Sequence, residues 1–118
     1  MPEQTVEINM LYDFYGGLLP ERQSEFLRLY REENWSLAEI AEEFGLTRQG
    51  VYAGIKKAES ALKEYESKLG LLERFAQTEQ VLARIDAALA ELGEQYRGDR
   101  TIQTQLASIR KTAHRLGE

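Results

Sequence analysis

The chain has 118 residues, of which 42% are apolar and 30% charged, a composition that fits a soluble helical domain with or without an extension and excludes a disordered chain. It contains no cysteine, which removes disulfides, thiolate metal sites and cysteine nucleophiles and fits a reducing cytoplasm. A formal net charge of -5 argues against an indiscriminate nucleic-acid binder, because a phosphate backbone is held chiefly by Lys and Arg.

Both prolines, Pro2 and Pro20, precede residue 21, so nothing forbids helix from there on. No apolar run is long enough to span a bilayer and no charged-then-apolar leader opens the chain, so neither a membrane span nor a signal peptide is expected.

Over residues 4–16, Ile8, Leu11, Tyr12 and Tyr15 recur at helical spacing, and Gly16-Gly17 ends the pattern. Pro20 then suits the first position of a second helix, whose stripe is Phe26, Leu27 and Tyr30 and whose end is Glu33-Asn34. Ser36 with Glu39 three residues on is a capping box, so a third helix starts there with Leu37, Ile40, Ala41 and Phe44 on one face and Glu39, Glu42 and Glu43 toward water. Gly45 permits the left-handed stop, Leu46 is expected to bury in the turn, and Thr47 caps the next helix.

In the fourth helix Val51, Ile55, Ala58, Leu62, Tyr65, Leu69 and Leu72 are spaced four, three, four, three, four, three, a heptad seam. The run from Arg48 to Leu69 would be about 33 Å long at 1.5 Å per residue, more than a small domain needs, so its far half must find another surface. Gly70 is placed to end or bend it. A further stripe, Leu82, Ile85, Leu89, Leu92 and Tyr96, follows a skip near Phe75 to Thr78. A last one, Ile102, Leu106, Ile109, Ala113 and Leu116, follows a break at Gly98-Asp99. Three successive stripes suggest helices that pack on each other within the chain or across a dimer axis, and more apolar stripe than one small core can bury favours the second, a homodimer.

The expected fold is therefore all-α: an N-terminal helix-turn-helix domain over residues 1–70 with a long second helix, and a C-terminal helical extension over residues 71–118 for dimerisation or partner contact. Residues 1–35 carry seven acids against three bases, whereas Thr47 to Lys57 holds three bases and no acid. With Val51 and Ile55 inward, Arg48, Gln49, Tyr52, Ala53 and Lys56 turn outward. Arg48 and Gln49 lie in the first turn, where helix-turn-helix proteins meet base edges, and Arg with guanine or Gln with adenine is worth about 1–3 kcal/mol of discrimination. Lys56 and Lys57 suit phosphates. The nucleic-acid-binding residues expected are thus Arg48, Gln49, Tyr52, Lys56 and Lys57, acting on DNA or structured RNA. Gly50 and Gly54 are read as bare backbone on the surface of this helix, open to a nucleic-acid backbone or a partner helix.

These residues carry a resemblance. The stretch from Leu18 to Leu72, above all Ser36 to Glu59 with its Arg-Gln-x-Val-Tyr segment at Arg48 to Tyr52, resembles the YlxM-like family of small bacterial helix-turn-helix proteins. It is similar, more distantly, to region 4 of sigma factors, which reads promoter DNA. The family carries larger residues than glycine at positions 50 and 54, where this chain departs from it. The resemblance covers residues 5–90 and implies a cytoplasmic, all-helical, dimeric protein. Family members are generally encoded beside the signal recognition particle GTPase and are inferred to act in that pathway, so that GTPase is an expected partner.

No enzyme is expected. His114, the only histidine, is read as a surface residue lacking a Cys, His or carboxylate partner, and the Glu32-Glu33 and Glu42-Glu43 pairs as solvated faces. No phosphate-binding glycine loop occurs, and no cofactor or metal is implied. Two readings remain: a dimeric DNA-binding regulatory protein, or an adaptor that engages the signal recognition particle GTPase or its RNA without reading a DNA sequence.

Overall fold

The computed structural model describes residues 2–117, with side chains from Val6 to Gly117. Among the described residues there are six α-helices and no strand: α1 (Pro2–Tyr15), α2 (Glu21–Arg31), α3 (Leu37–Phe44), α4 (Arg48–Leu69), α5 (Leu71–Gln95) and α6 (Arg100–His114). Single 3-10 turns follow α1 at Gly16–Leu18 and α6 at Arg115–Gly117. The chain forms two compact units, one running to Leu72 and the other starting at Glu73.

In the first unit α4 is the central element and packs on α1, α2 and α3. Its Val51, Ile55, Ala58 and Leu62 are buried together with Ile8, Leu11 and Tyr15 of α1, Phe26, Leu27 and Leu29 of α2, and Ile40 and Ala41 of α3. The heptad spacing explains the arrangement, since it keeps one face of α4 turned inward for four turns while three shorter helices cover it. Its far half finds α1: Tyr65 lies 6.0 Å, ring to ring, from Tyr15. Leu69 stays 49% exposed, because Gly70 ends the helix with φ +64.

Local chemistry fixes the boundaries. Ser36 Oγ accepts the Glu39 amide at 3.0 Å while Glu39 Oε1 accepts the Ser36 amide at 3.1 Å, the capping box expected for α3. At its other end Gly45 has φ +67, its amide reaches Glu42 O, and the Leu46 amide closes on Ala41 O at 2.8 Å. Thr47 Oγ1 then accepts the Gly50 amide at 3.0 Å to start α4.

Two local expectations are corrected. Pro20 is the cap of α2, not its first residue; its ψ of 142 is extended, and its carbonyl accepts the first helical bond, from Ser24. Leu46 is 40% exposed instead of buried, because the Gly45 reversal ties down its backbone amide and leaves its side chain on the rim.

The second unit is a hairpin of α5 and α6. α5 runs without interruption through Phe75 to Thr78, where the sequence pattern skips. Asp99 caps α6 by accepting the Ile102 amide at 3.0 Å. Gln103 Nε2 donates to the carbonyls of Gly93 and Tyr96, both at 2.9 Å, and so satisfies the end of α5 from the start of α6. No helix among the described residues is long and apolar enough to cross a membrane.

Candidate nucleic-acid interface

The first two turns of α4 are a presented surface because everything that could cover them lies on the opposite side. Val51 is 0% and Ile55 2% exposed. At about 100° per residue, burying those two turns Gln49, Tyr52, Ala53 and Lys56 outward together. Arg48, Gln49, Tyr52, Lys56 and Lys57 are all exposed. Within this set Tyr52 and Lys56 meet, the Lys56 ammonium sitting 5.4 Å from the ring centroid, which orders a long cation over an aromatic face. Lys57 lies about 100° further round the helix from Lys56, on the other flank of the surface.

Sequence reasoning missed the group that tempers this surface. Glu59, only 7% exposed, accepts a 2.7 Å hydrogen bond from Arg31 of α2 through Oε1 and faces Lys56 Nζ at 3.8 Å through Oε2. A count of bases that stops at Lys57 sees no acid, yet the i,i+3 position of Lys56 holds one. α3 adds Glu39, Glu42 and Glu43, all exposed, on the helix that in this motif commonly crosses the phosphate backbone. The basic character of the motif is thus confined to α4.

Gly54 is not the bare surface position expected. A Cβ there would stand 3.2 Å from the ring of Phe26, which itself packs edge-on against Phe44 at 5.1 Å. The missing side chain is what lets α2 and its aromatic pair approach α4 so closely. Gly50 is exposed, its amide bound to the Thr47 cap.

His114 also differs from expectation. It is exposed, but its Nε2 lies 2.8 Å from both carboxylate oxygens of Asp86, and Arg110 Nε is 3.4 Å from the same group. The hydrogen bond from His114, helped by the charges of His114 and Arg110, holds the Asp86 carboxyl below the usual carboxylate range. Spacing along the chain could not reveal this pair, because 28 residues separate its members. Among the described residues no group of three His, Cys, Asp or Glu side chains could hold a metal ion.

Comparison with known proteins now adds to this geometry. The family model for helix-turn-helix proteins of the YlxM/p13-like kind, UPF0122, matches residues 2–107. The chain belongs to this family. The UPF0122 protein of Bacillus mycoides is 44% identical over 91 residues, 77% of this chain and 83% of that protein. That of Halalkalibacterium halodurans is 44% identical over 89 residues, 75% and 82% of the two chains, and that of Bacillus thuringiensis 43% over 91 residues, 77% and 83%. The family match runs through α1 to α5 and into α6, where it ends at residue 107.

Proposed function

We propose that this UPF0122 protein is a non-catalytic, cytoplasmic nucleic-acid-binding regulatory protein that uses the first two turns of α4 as its reading surface. The observation that carries the reading is the outward cluster of Arg48, Gln49, Tyr52 and Lys56 on a helix held by the Thr47 cap and the Val51 and Ile55 anchors. Arg48 and Gln49 offer bidentate donors to base edges, Tyr52 a stacking face, and Lys56 and Lys57 phosphate contacts. One α4 neutralises few phosphates, so the reading requires a homodimer that presents two.

Binding of duplex DNA and of structured RNA to the full chain, titrated against salt, tests it. Arg48→Ala together with Lys56→Ala should abolish binding with helicity unchanged, and unchanged affinity in that variant sinks the reading.

The carboxylates of α3 favour a second reading, an adaptor that engages the signal recognition particle GTPase, the partner implied by family resemblance. Three exposed acids beside α4 repel phosphate but would suit a basic protein surface. Co-purification of that GTPase after nuclease treatment, retained in the Arg48/Lys56 variant and lost in Leu69→Glu, would support this reading over the first. Leu62 is unsuitable for the experiment, since it is fully buried and its replacement tests folding.

A further inference from the structure

The longest acid-free stretch of the sequence is not the helix-turn-helix but α6 with the turn after it. Arg100, Arg110, Lys111 and Arg115, four of the chain's 15 bases, lie between Arg100 and Gly117, where none of its 20 acids falls. Helix stability accounts for only part of this. Bases in the last turns of α6 suit its negative end, but Arg100 opens the helix at its positive end, where a cation is unfavourable.

The bases share a side of the helix. At about 100° per residue, Arg100, Lys111 and Arg115 fall within roughly 60° of one another, with Thr104 among them. Arg110 and His114 border them toward α5, where Asp86 fixes both, lying 2.8 Å from His114 Nε2 and 3.4 Å from Arg110 Nε. Ala107, Arg110, Lys111 and His114 line a depression of about 370 Å³, in which the small side chain of Ala107 leaves the helix surface open to a phosphate oxygen. Little opposes the charge there. At the level of Asp86 the α5 residues on the same side of the hairpin are Ala83, Ala87 and Ala90, and Ala90 shares a groove with Ala107. The next carboxylates along that side of α5 are Glu94, paired with Arg97 at 3.3 Å, and Glu79, beside Gly117.

We propose that this side of α6 is a second nucleic-acid surface, which holds the phosphate backbone of a duplex without regard to sequence. An anionic membrane suits it less. The basic side holds no large apolar side chain to enter a bilayer, and on the apolar face of α6 only Ile109 is exposed, since Ile102, Leu106 and Ala113 are half-buried. A duplex also matches the length: phosphates recur every ~1.7 Å of its axis, so cations spread over the about 22 Å of α6 each find one. The UPF0122 match ends at residue 107, before Arg110, Lys111 and Arg115, so the surface is not one that the family likeness supplies. It goes beyond the reading of α4 and does not depend on it.

The test is fluorescence anisotropy of the full chain with labelled DNA and RNA duplexes of two unrelated sequences, from about 50 to 200 mM salt. Arg100→Ala with Lys111→Ala and Arg115→Ala replaces three exposed residues by a better helix former, so the fold is kept. This variant should bind both sequences at least about tenfold more weakly, and on DNA its log-log salt slope should be shallower by about two to three. The same charge removed elsewhere, in Lys63→Ala with Arg74→Ala and Arg84→Ala, should leave the slope unchanged. Unchanged affinity in the α6 variant overturns the proposal, and so does an equal loss in the control, which would make the attraction diffuse. Arg48→Ala with Lys56→Ala separates the two surfaces. If it loses binding while the α6 variant does not, the α4 reading stands and this proposal falls; the reverse result leaves α6 standing and sinks the α4 reading. A wild type that binds no duplex overturns both. An α6 variant that loses only its co-sedimentation with phosphatidylglycerol vesicles assigns the bases to a membrane and overturns the proposal.

Discussion

The carboxylate of Glu59 in α4 accepts a 2.7 Å hydrogen bond from the guanidinium of Arg31 in α2, with 9% and 22% of the two side chains exposed. The pair ties the helix before the motif to the outward-facing helix within it, just behind Lys56. Removing one partner leaves a charge in a largely dry site, which costs far more than the pair itself contributes. Arg31→Ala should lower stability by about 3 kcal/mol, and the double replacement Arg31→Met with Glu59→Leu by much less. Urea unfolding of the three proteins checks this.

Glu59 also faces Lys56 Nζ at 3.8 Å. Glu59→Gln keeps an oxygen for Arg31 and removes the charge that competes for Lys56. If α4 binds nucleic acid, affinity should rise about two- to fivefold at low salt, the scale of one partly screened ion pair. Fluorescence anisotropy with a labelled duplex reads the change; equal or weaker binding would contradict it.

Tyr15 donates a 2.6 Å hydrogen bond to Glu66 and accepts the Leu71 amide at 3.0 Å, while Glu66 also accepts the Leu72 amide at 2.9 Å. One phenol thus joins α1 to α4 and caps α5. Burial first, and then the Glu66 carboxylate, raise the Tyr15 hydroxyl above its ordinary value of 10.0. A raised value means that the protonated form is favoured by folding, so its stabilisation is complete below pH 10.0 and is lost as pH rises through the folded-state value. Tyr15→Phe should lower the urea midpoint at neutral pH and reduce the decline in stability above pH 10.0.

Asp86 has the opposite sign. Its carboxyl lies below its ordinary 3.8, so the stabilisation from His114 and Arg110 is present above that pH and disappears as pH falls through the depressed value. Amide protection in α6, taken relative to the intrinsic exchange rate at each pH, should fall below pH 3.8 in the wild type, and Asp86→Asn should lower protection at neutral pH and make it less dependent on acid. An unchanged acid profile in Asp86→Asn would count against the assignment.

Gly54 offers a test of packing against propensity. Alanine there gains about 1 kcal/mol of helix preference but brings a methyl 3.2 Å from the Phe26 ring, so the net change should be small. Isoleucine must displace Phe26 and should cost about 1–3 kcal/mol. Thermal unfolding of both variants separates this account from that of a bare surface glycine, for which neither would clash.

Much of the N-terminal unit was legible along the chain because its signals are local. Ser36 with Glu39, Gly45, Thr47 and Gly70 each act within a few residues of themselves, and the structure uses all of them as caps or stops. The seam from Val51 to Leu62 was legible because burial on one helical face imposes a period, and the outward set Gln49, Tyr52, Lys56 follows from that seam by geometry, whereas Arg48 is exposed as the first residue of the helix. Leu46 and Pro20 were misjudged by a position or a side-chain direction, details that depend on how each turn closes.

By itself the sequence determined six amphipathic or capped segments, the helix-turn-helix within them and which side of α4 faces out, since helix periodicity and capping are short-range chemistry. Only the tertiary structure decided that Glu59 shares its carboxylate between Arg31 and Lys56, that Phe26 fills the space over Gly54, and that Asp86 partners His114. Those contacts join residues far apart in the chain, and their existence depends on how helices cross in space, which no period along one helix encodes.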